Sequence, residues 1–175
     1  MFYFKDKFLS KDECEHLIKF WKDYPEEHKV LHNNTKVARL MRRSTGDRWI
    51  DDIFKYIGEK CAVLVDENIV CDNAEIVRWK PNQFMKPHKD YTDICSVVIY
   101  LNDDYEGGET GVRFNDPRGQ ELIIEPKQGR ILVFSNGTLP GHEDGYWHWV
   151  NKVKKSERYT LGLWYRRSND DDYVT

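Results

Sequence analysis

The stretch Trp79–Asp90, WKPNQFMKPHKD, decides how the rest of this chain is read. It leaves an alternating run that predicts a strand over Ala74–Trp79, turns at Pro81-Asn82, and ends in His88-x-Asp90. A histidine and an aspartate two apart at a strand end lie on the same side of the backbone, because side chains alternate with period two. One imidazole nitrogen and one carboxylate oxygen can then reach a single metal ion. These are two of the three ligands of a facial 2-His-1-carboxylate iron site, whose other positions stay open for a co-substrate and O2. Alone, the pair also fits a solvated turn, so its meaning depends on what lies downstream.

The chain has six histidines, and position sorts them. His16 falls on an expected helix, and His28 and His32 in a polar stretch, where each reads as surface or structural. His142-Glu143-Asp144 repeats the His-x-Asp spacing, but it sits between Gly141 and Gly145, and a flexible glycine loop holds a metal ligand poorly. His148 lies in Trp147-His148-Trp149-Val150, an aromatic-rich strand that packing can fix in place. Ten residues on, Arg158 opens the next strand beside Leu161, Leu163 and Trp164. A strand ligand followed one hairpin later by a guanidinium can hold a dicarboxylate beside a metal. One end of such a molecule chelates the metal and the other meets a bidentate Arg.

Around this core the pattern divides in two. Ser10-Lys-Asp-Glu13 is a capping box, and the helix it starts carries Cys14, Leu17, Ile18 and Trp21 on one face and should end before Pro25. Residues 25–46 are polar and unpatterned, longer than a connection needs, and read as a lid or substrate loop. A second helix is expected from Asp47 to Leu64, with Ile50, Ile53, Phe54, Ile57, Cys61 and Leu64 as its apolar stripe. From residue 69 the period becomes alternating. Strands are expected near 74–79, 94–101, 110–115, 121–124, 130–135, 146–150 and 157–165, after a short extended lead-in at Phe2–Phe4. Two helices followed by short strands at hairpin spacing predict a mainly β fold with flanking α-helices, a sandwich or barrel. One domain is expected over 1–175, with helical support and the lid loop in 1–68 and the β core in 69–168.

Composition narrows the function classes. A net charge of −3 and a pI of about 6.1 give no global basic field for nucleic acid. The local basic cluster is Lys36, Arg39, Arg42 and Arg43. Cys14, Cys61, Cys71 and Cys95 are widely spaced, with no CxxC, and read as reduced thiols. No apolar run suggests a signal peptide or membrane span, so the expected location is the cytoplasm.

Taken together, these pieces resemble the iron(II)- and 2-oxoglutarate-dependent dioxygenases, in their prolyl-4-hydroxylase-like branch. The resemblance rests on order and spacing: His88-x-Asp90, Tyr100-Leu-Asn102, Gly107-Gly-Glu-Thr110, Pro126-x-x-Gly129 leading to Phe134, then His148, Val153, Arg158 and Trp164. The N-terminal FLSKDECEHLI and the RRSTGDRW stretch look similar as well, so nearly the whole chain is covered. The resemblance implies a double-stranded β-helix, or jelly roll, with supporting helices. It implies iron held by His88, Asp90 and His148, and 2-oxoglutarate anchored by Arg158 with help from Tyr100 and Thr110. It implies a hydroxylase using O2 and converting 2-oxoglutarate to succinate, with ascorbate as a reductant and a prolyl residue in a peptide or protein as substrate. Arg39, Arg42, Arg43, His142 and Trp164 become the substrate-side candidates. Trp79 stands where this branch usually has Tyr, and an indole can donate but not accept, so its co-substrate contact is altered or lost. Two other readings compete: the same chemistry on a free amino acid, metabolite or alkylated base, and a metal-binding jelly roll without turnover.

Overall fold

The computed structural model describes residues 1–25, 28–30, 36–40, 48–65, 68–90, 94–114, 118–136 and 145–167. Its first helix starts as the capping box predicts. Ser10 Oγ accepts from the Glu13 N–H at 3.2 Å, and Glu13 Oε2 accepts from the Ser10 N–H at 2.6 Å. Two donors that a helix start leaves open are thereby satisfied. The helix, α1 (Lys11–Asp23), stops before Pro25 and buries Cys14, Leu17, Phe20 and Trp21. The second helix, α2 (Arg48–Val65), buries Ile53 and Ile57. No helix of the described chain is long and apolar enough to cross a membrane.

The strands are β1 (Phe2–Lys5), β2 (His28–Val30), β3 (Lys36–Leu40), β4 (Ile69–Trp79), β5 (Met85–His88), β6 (Cys95–Tyr100) and β7 (Glu106–Gly107). They continue with β8 (Thr110–Arg113), β9 (Glu121–Ile124), β10 (Ile131–Ser135), β11 (Trp147–Val150), β12 (Val153–Lys155) and β13 (Arg158–Arg167). A large sheet runs in the order β1-β10-β6-β13-β4-β3-β2, a small one in the order β5-β11-β8-β9, and β12 pairs with β7. This is the expected jelly roll, a double-stranded β-helix backed by helices.

The central strands β10, β6 and β13 of the large sheet are buried on both faces, and β13 shows how. Tyr159, Leu161, Leu163 and Tyr165 join Leu17, Trp21, Ile53 and Ile57 in the core beneath the helices. By the period of two, Arg158, Thr160, Gly162 and Trp164 take the other face, toward the small sheet. Two smaller apolar clusters occupy that side: Tyr100, Val112, Ile124, Leu132 and Phe134 in one, and Val77, Trp79 and Val153 in the other. The site is set into this inner face.

All seven strands expected after residue 69 form, though β4 begins five residues earlier than its pattern suggested. The stretch 25–46 needs correction. It is not simply an unpatterned loop, because β2 and β3 pair with each other and extend the large sheet beyond β4. Strands of three and five residues are too short to register as alternation, and their order comes from the neighbouring strand rather than from their own propensity. Cys14 is a buried thiol. Burial pushes the Cys14 thiol up to about 12, which leaves it an inert core residue.

Candidate active site

The edge pair β5 and β11 brings the two key histidines together. His88 and His148 are directly opposed in the antiparallel register, with ring centroids 4.1 Å apart. Each ring is oriented in the same way. His88 Nδ1 lies 3.0 Å from the Lys86 carbonyl, and His148 Nδ1 lies 3.2 Å from the Tyr146 carbonyl. A carbonyl can only accept, so each Nδ1 carries the proton and each Nε2 presents its lone pair. Burial pushes His148 down to about 4, against the raising effect of the Asp90 charge, so the imidazole is neutral at physiological pH.

Asp90 completes the group just beyond β5. Its Oδ1 lies 3.8 Å from His88 Nε2 and its Oδ2 lies 3.6 Å from His148 Nε2. The donor atoms of His88, Asp90 and His148 all lie within 4.8 Å of one another. Two imidazoles and a carboxylate fit a divalent first-row metal and leave coordination positions open. Trp147 and Trp149 flank His148 in sequence, but the strand period turns them to the opposite face. There Trp149 lies flat over Gly111, where a Cβ would come within 1.9 Å of the indole. These tryptophans pack the strand in place, and Gly111 makes the room.

Arg158 sits deeper, at the start of β13 opposite Trp79 of β4. Only 1% of it is exposed. Its Nη2 donates to Thr110 Oγ1 at 3.2 Å and its Nη1 to Thr160 Oγ1 at 3.4 Å, while Nε has no partner. The guanidinium carbon lies 5.4 Å from the Tyr100 ring centre. The Tyr100 hydroxyl is 2.6 Å from Thr110 Oγ1, and burial raises its pKa. Gly108 has a φ of +70, and a Cβ there would press on Arg158 Cδ at 3.0 Å, so the Gly-Gly-Glu-Thr motif clears the way for this side chain. The indole Nε1 of Trp79 is also buried without a partner, and the Tyr105 hydroxyl is buried beside the guanidinium. Among the described residues no carboxylate forms an ion pair with Arg158. A buried cation with unused donors around it fits a ligand that brings its own carboxylate.

Of the other candidates, Trp164 donates its Nε1–H to Asp90 Oδ2 at 3.0 Å. Arg39 lies on β3, in register with Glu75 of β4. Arg42, Arg43 and His142 lie outside the described residues. His28 is structural: it stacks on Trp21 at 3.7 Å between centroids and binds the Trp21 carbonyl. Sequence reasoning missed Ser96 and Asn136. Ser96 Oγ donates to Asp90 Oδ2 at 2.7 Å, and Asn136 Nδ2 donates to Ser96 Oγ at 2.9 Å. The available signal was a lone serine in the apolar strand CSVVIY.

Residues 74–166 match the family model of the 2OG-Fe(II) oxygenase superfamily. The chain belongs to that superfamily. It is 24% identical to prolyl 4-hydroxylase 1 of Arabidopsis thaliana over 190 residues, which cover 91% of this chain and 66% of that protein. The chain spans 62 to 66% of the length of the first curated relatives it matches. Its fold superposes on a prolyl-4-hydroxylase of Pseudomonas putida with a TM-score of 0.77, at 20% identity, covering 96% of this chain and 93% of the other. It superposes likewise on the viral collagen prolyl hydroxylase of Paramecium Bursaria Chlorella virus-1, determined with 2OG, with a TM-score of 0.69 at 22% identity, covering 96% of both chains. At these identities the two structures establish the shared fold.

Proposed function

We propose that this chain is an iron(II)- and 2-oxoglutarate-dependent hydroxylase acting on a prolyl residue in a peptide or protein. One observation carries the proposal: the compact His88, Asp90 and His148 donor set lies on the same inner face as a buried Arg158 that has no carboxylate partner among the described residues. A metal-binding jelly roll without turnover has no need of that second feature. The prolyl specificity rests on the chain's likeness to prolyl hydroxylases.

In this reading His88, Asp90 and His148 hold the iron through Nε2, a carboxylate oxygen and Nε2. Arg158 takes the far carboxylate of 2-oxoglutarate, with the Tyr100 and Thr110 hydroxyls fixing the guanidinium and lining the pocket. Trp79 covers one face of Arg158 and keeps water from it. When bound, iron and 2-oxoglutarate supply oxidative decarboxylation coupled to placing one oxygen atom of O2 in an unactivated C–H bond, giving succinate and CO2. The protein contributes orientation, a dry pocket and an opening for substrate. His88, with 36% of its side chain exposed against 11% for His148, marks the open side. Arg39, Arg42, Arg43 and His142 are the proposed substrate-side groups, ascorbate is the proposed reductant, and the cytoplasm is the proposed location.

The test is direct. With iron, ascorbate and 2-oxoglutarate, proline-rich peptides are expected to gain 16 Da in step with succinate release. Turnover on a metabolite but on no peptide would replace the substrate class, and metal binding without succinate release would leave only a binding module.

A further inference from the structure

The metal-ligand carboxylate is held from behind by a chain of hydrogen bonds with only one consistent proton order. Ser96 Oγ lies 2.7 Å from Asp90 Oδ2, 3.1 Å from Asn136 Oδ1 and 2.9 Å from Asn136 Nδ2. A serine hydroxyl has one proton, and the closer, charged acceptor takes it. The proton therefore goes to Asp90, and Ser96 in turn accepts from the Asn136 amide. Ser96 is 2% and Asn136 4% exposed, so no bulk water competes for these groups. Trp164 Nε1 adds a second donor on Oδ2 at 3.0 Å. The indole is set by the sheet, since Trp164 and Ser96 are register partners on β13 and β6. Among the described residues no donor reaches Oδ1. The two oxygens of this carboxylate are thus unequal.

We infer that Ser96 and Asn136 are positioning residues that, with Trp164, tie up Asp90 Oδ2 so that the carboxylate serves the metal through one oxygen only. This rests on the iron-site reading above. A carboxylate free to bind through both oxygens takes an additional coordination position, and in a site built from three ligands that position is needed by co-substrate or O2. Donors on Oδ2 also drain charge from that oxygen and lock the side-chain rotamer, which is how groups behind a ligand tune a metal. Asn136 acts one bond further out. Its amide N–H donates to Ser96 Oγ, so the hydroxyl proton is turned toward Asp90.

The experiment compares the unsubstituted chain with Ser96→Ala, Ser96→Thr and Asn136→Leu, reading Co(II) affinity, the Co(II) d–d absorption envelope and thermal stability. Ser96→Ala is expected to weaken Co(II) binding by about 10- to 100-fold and to change the shape of the envelope, as the freed carboxylate binds through both oxygens. Ser96→Thr keeps the hydroxyl and should restore both properties. Asn136→Leu should fall between them, because the hydroxyl survives but loses its fixed orientation. A merely structural role predicts a lowered Tm with unchanged affinity and spectrum in the folded protein, and that result would overturn the inference. Wild-type protein that binds no Co(II) would overturn the iron-site reading and the inference with it. Normal wild-type binding that Ser96→Ala leaves intact would remove the inference alone.

Discussion

Arg158 and Trp79 face each other across β13 and β4, with the guanidinium carbon 5.6 Å from the centre of the indole ring. Tyr100 lies at 5.4 Å from the same carbon. The cation is therefore placed between two aromatic side chains and donates to the hydroxyls of Thr110 and Thr160. Its charge is desolvated and stabilised by ring faces, while unused donor capacity points to an absent anion. The tryptophan takes over a stacking role, and its indole cannot supply the acceptor that a tyrosine would.

Arg158→Ala should therefore weaken 2-oxoglutarate binding far more than metal binding. Removing one partner of a desolvated pair costs roughly 3–5 kcal/mol, or about two to four orders of magnitude in Kd. Arg158→Lys should be intermediate, since a point charge replaces a planar fork. Trp79→Leu removes only the ring-face attraction, worth about 0.5–2 kcal/mol, and should cost correspondingly less. Equilibrium binding of 2-oxoglutarate to the Mn(II)-loaded protein measures all three. An unchanged Kd in Arg158→Ala would end the anchoring role.

His88, Asp90, His148 and Arg158 were legible in the sequence because each lies in a short strand or turn whose local spacing fixes its direction. Trp79 was legible as an oddity, and its pairing with Arg158 is a matter of register. Ser96 and Asn136 were not legible. Ser96 reaches Asp90 over only six residues but carries no motif that announces it, and Asn136 reaches Ser96 only because β6 and β10 are neighbours in the large sheet, a contact that spans 40 residues of chain. Trp164 was identified as a substrate-side candidate, yet its indole N–H is bound to Asp90, a contact 74 residues apart that local spacing cannot reveal. The strands β2 and β3 were missed for a related reason: their order comes from β4, not from their own residues.

His148→Ala is expected to abolish metal retention while leaving the fold intact, because the ring lies at the inner face, where it packs against His88 and Phe134 at the edge of a small apolar cluster. His142→Ala should leave metal content near the wild-type level. Metal analysis of the purified variants, with circular dichroism as the fold control, checks this. Loss in His142→Ala combined with retention in His148→Ala would reverse the assignment of the distal ligand.

Acid stability has a local signature at the β1–α1 turn. Asp6 accepts from Arg130 Nε and from Lys127 Nζ, each at 2.6 Å, and these bonds hold its carboxyl down at about 2. A carboxyl depressed in the folded state stabilises above its unfolded pKa and loses that contribution as pH falls through the folded one. The window is therefore from about 4 down to about 2. Asp6→Asn should lower Tm at neutral pH, and the gap from wild type should close across that window. Because Asp6 and Lys127 are exposed, added salt should narrow the gap as well. Thermal melts at several pH values and two salt concentrations measure it.

The last prediction concerns the basic stretch that carries Arg39, Arg42 and Arg43. All five residues of β3, Lys36 to Leu40, are paired in register with β4, from Lys36 opposite Arg78 to Leu40 opposite Ala74. Strand β4 is in turn bonded along its length to β13. Amides committed to such a ladder exchange only when the ladder opens. Residues 36–40 should therefore be protected in the free protein, which places Arg39 on a fixed strand and not on a moving loop. If a peptide docks against this basic stretch, the gain in protection on adding a proline-rich peptide should fall at 41–46, around Arg42 and Arg43, with little change at 36–40. Hydrogen exchange with mass readout, with and without peptide, separates the possibilities. Fast exchange across 36–40 in the free protein would show that the strand opens and would return Arg39 to a lid. Equal exchange at 41–46 with and without a peptide that is nonetheless hydroxylated would remove Arg42 and Arg43 from the substrate surface.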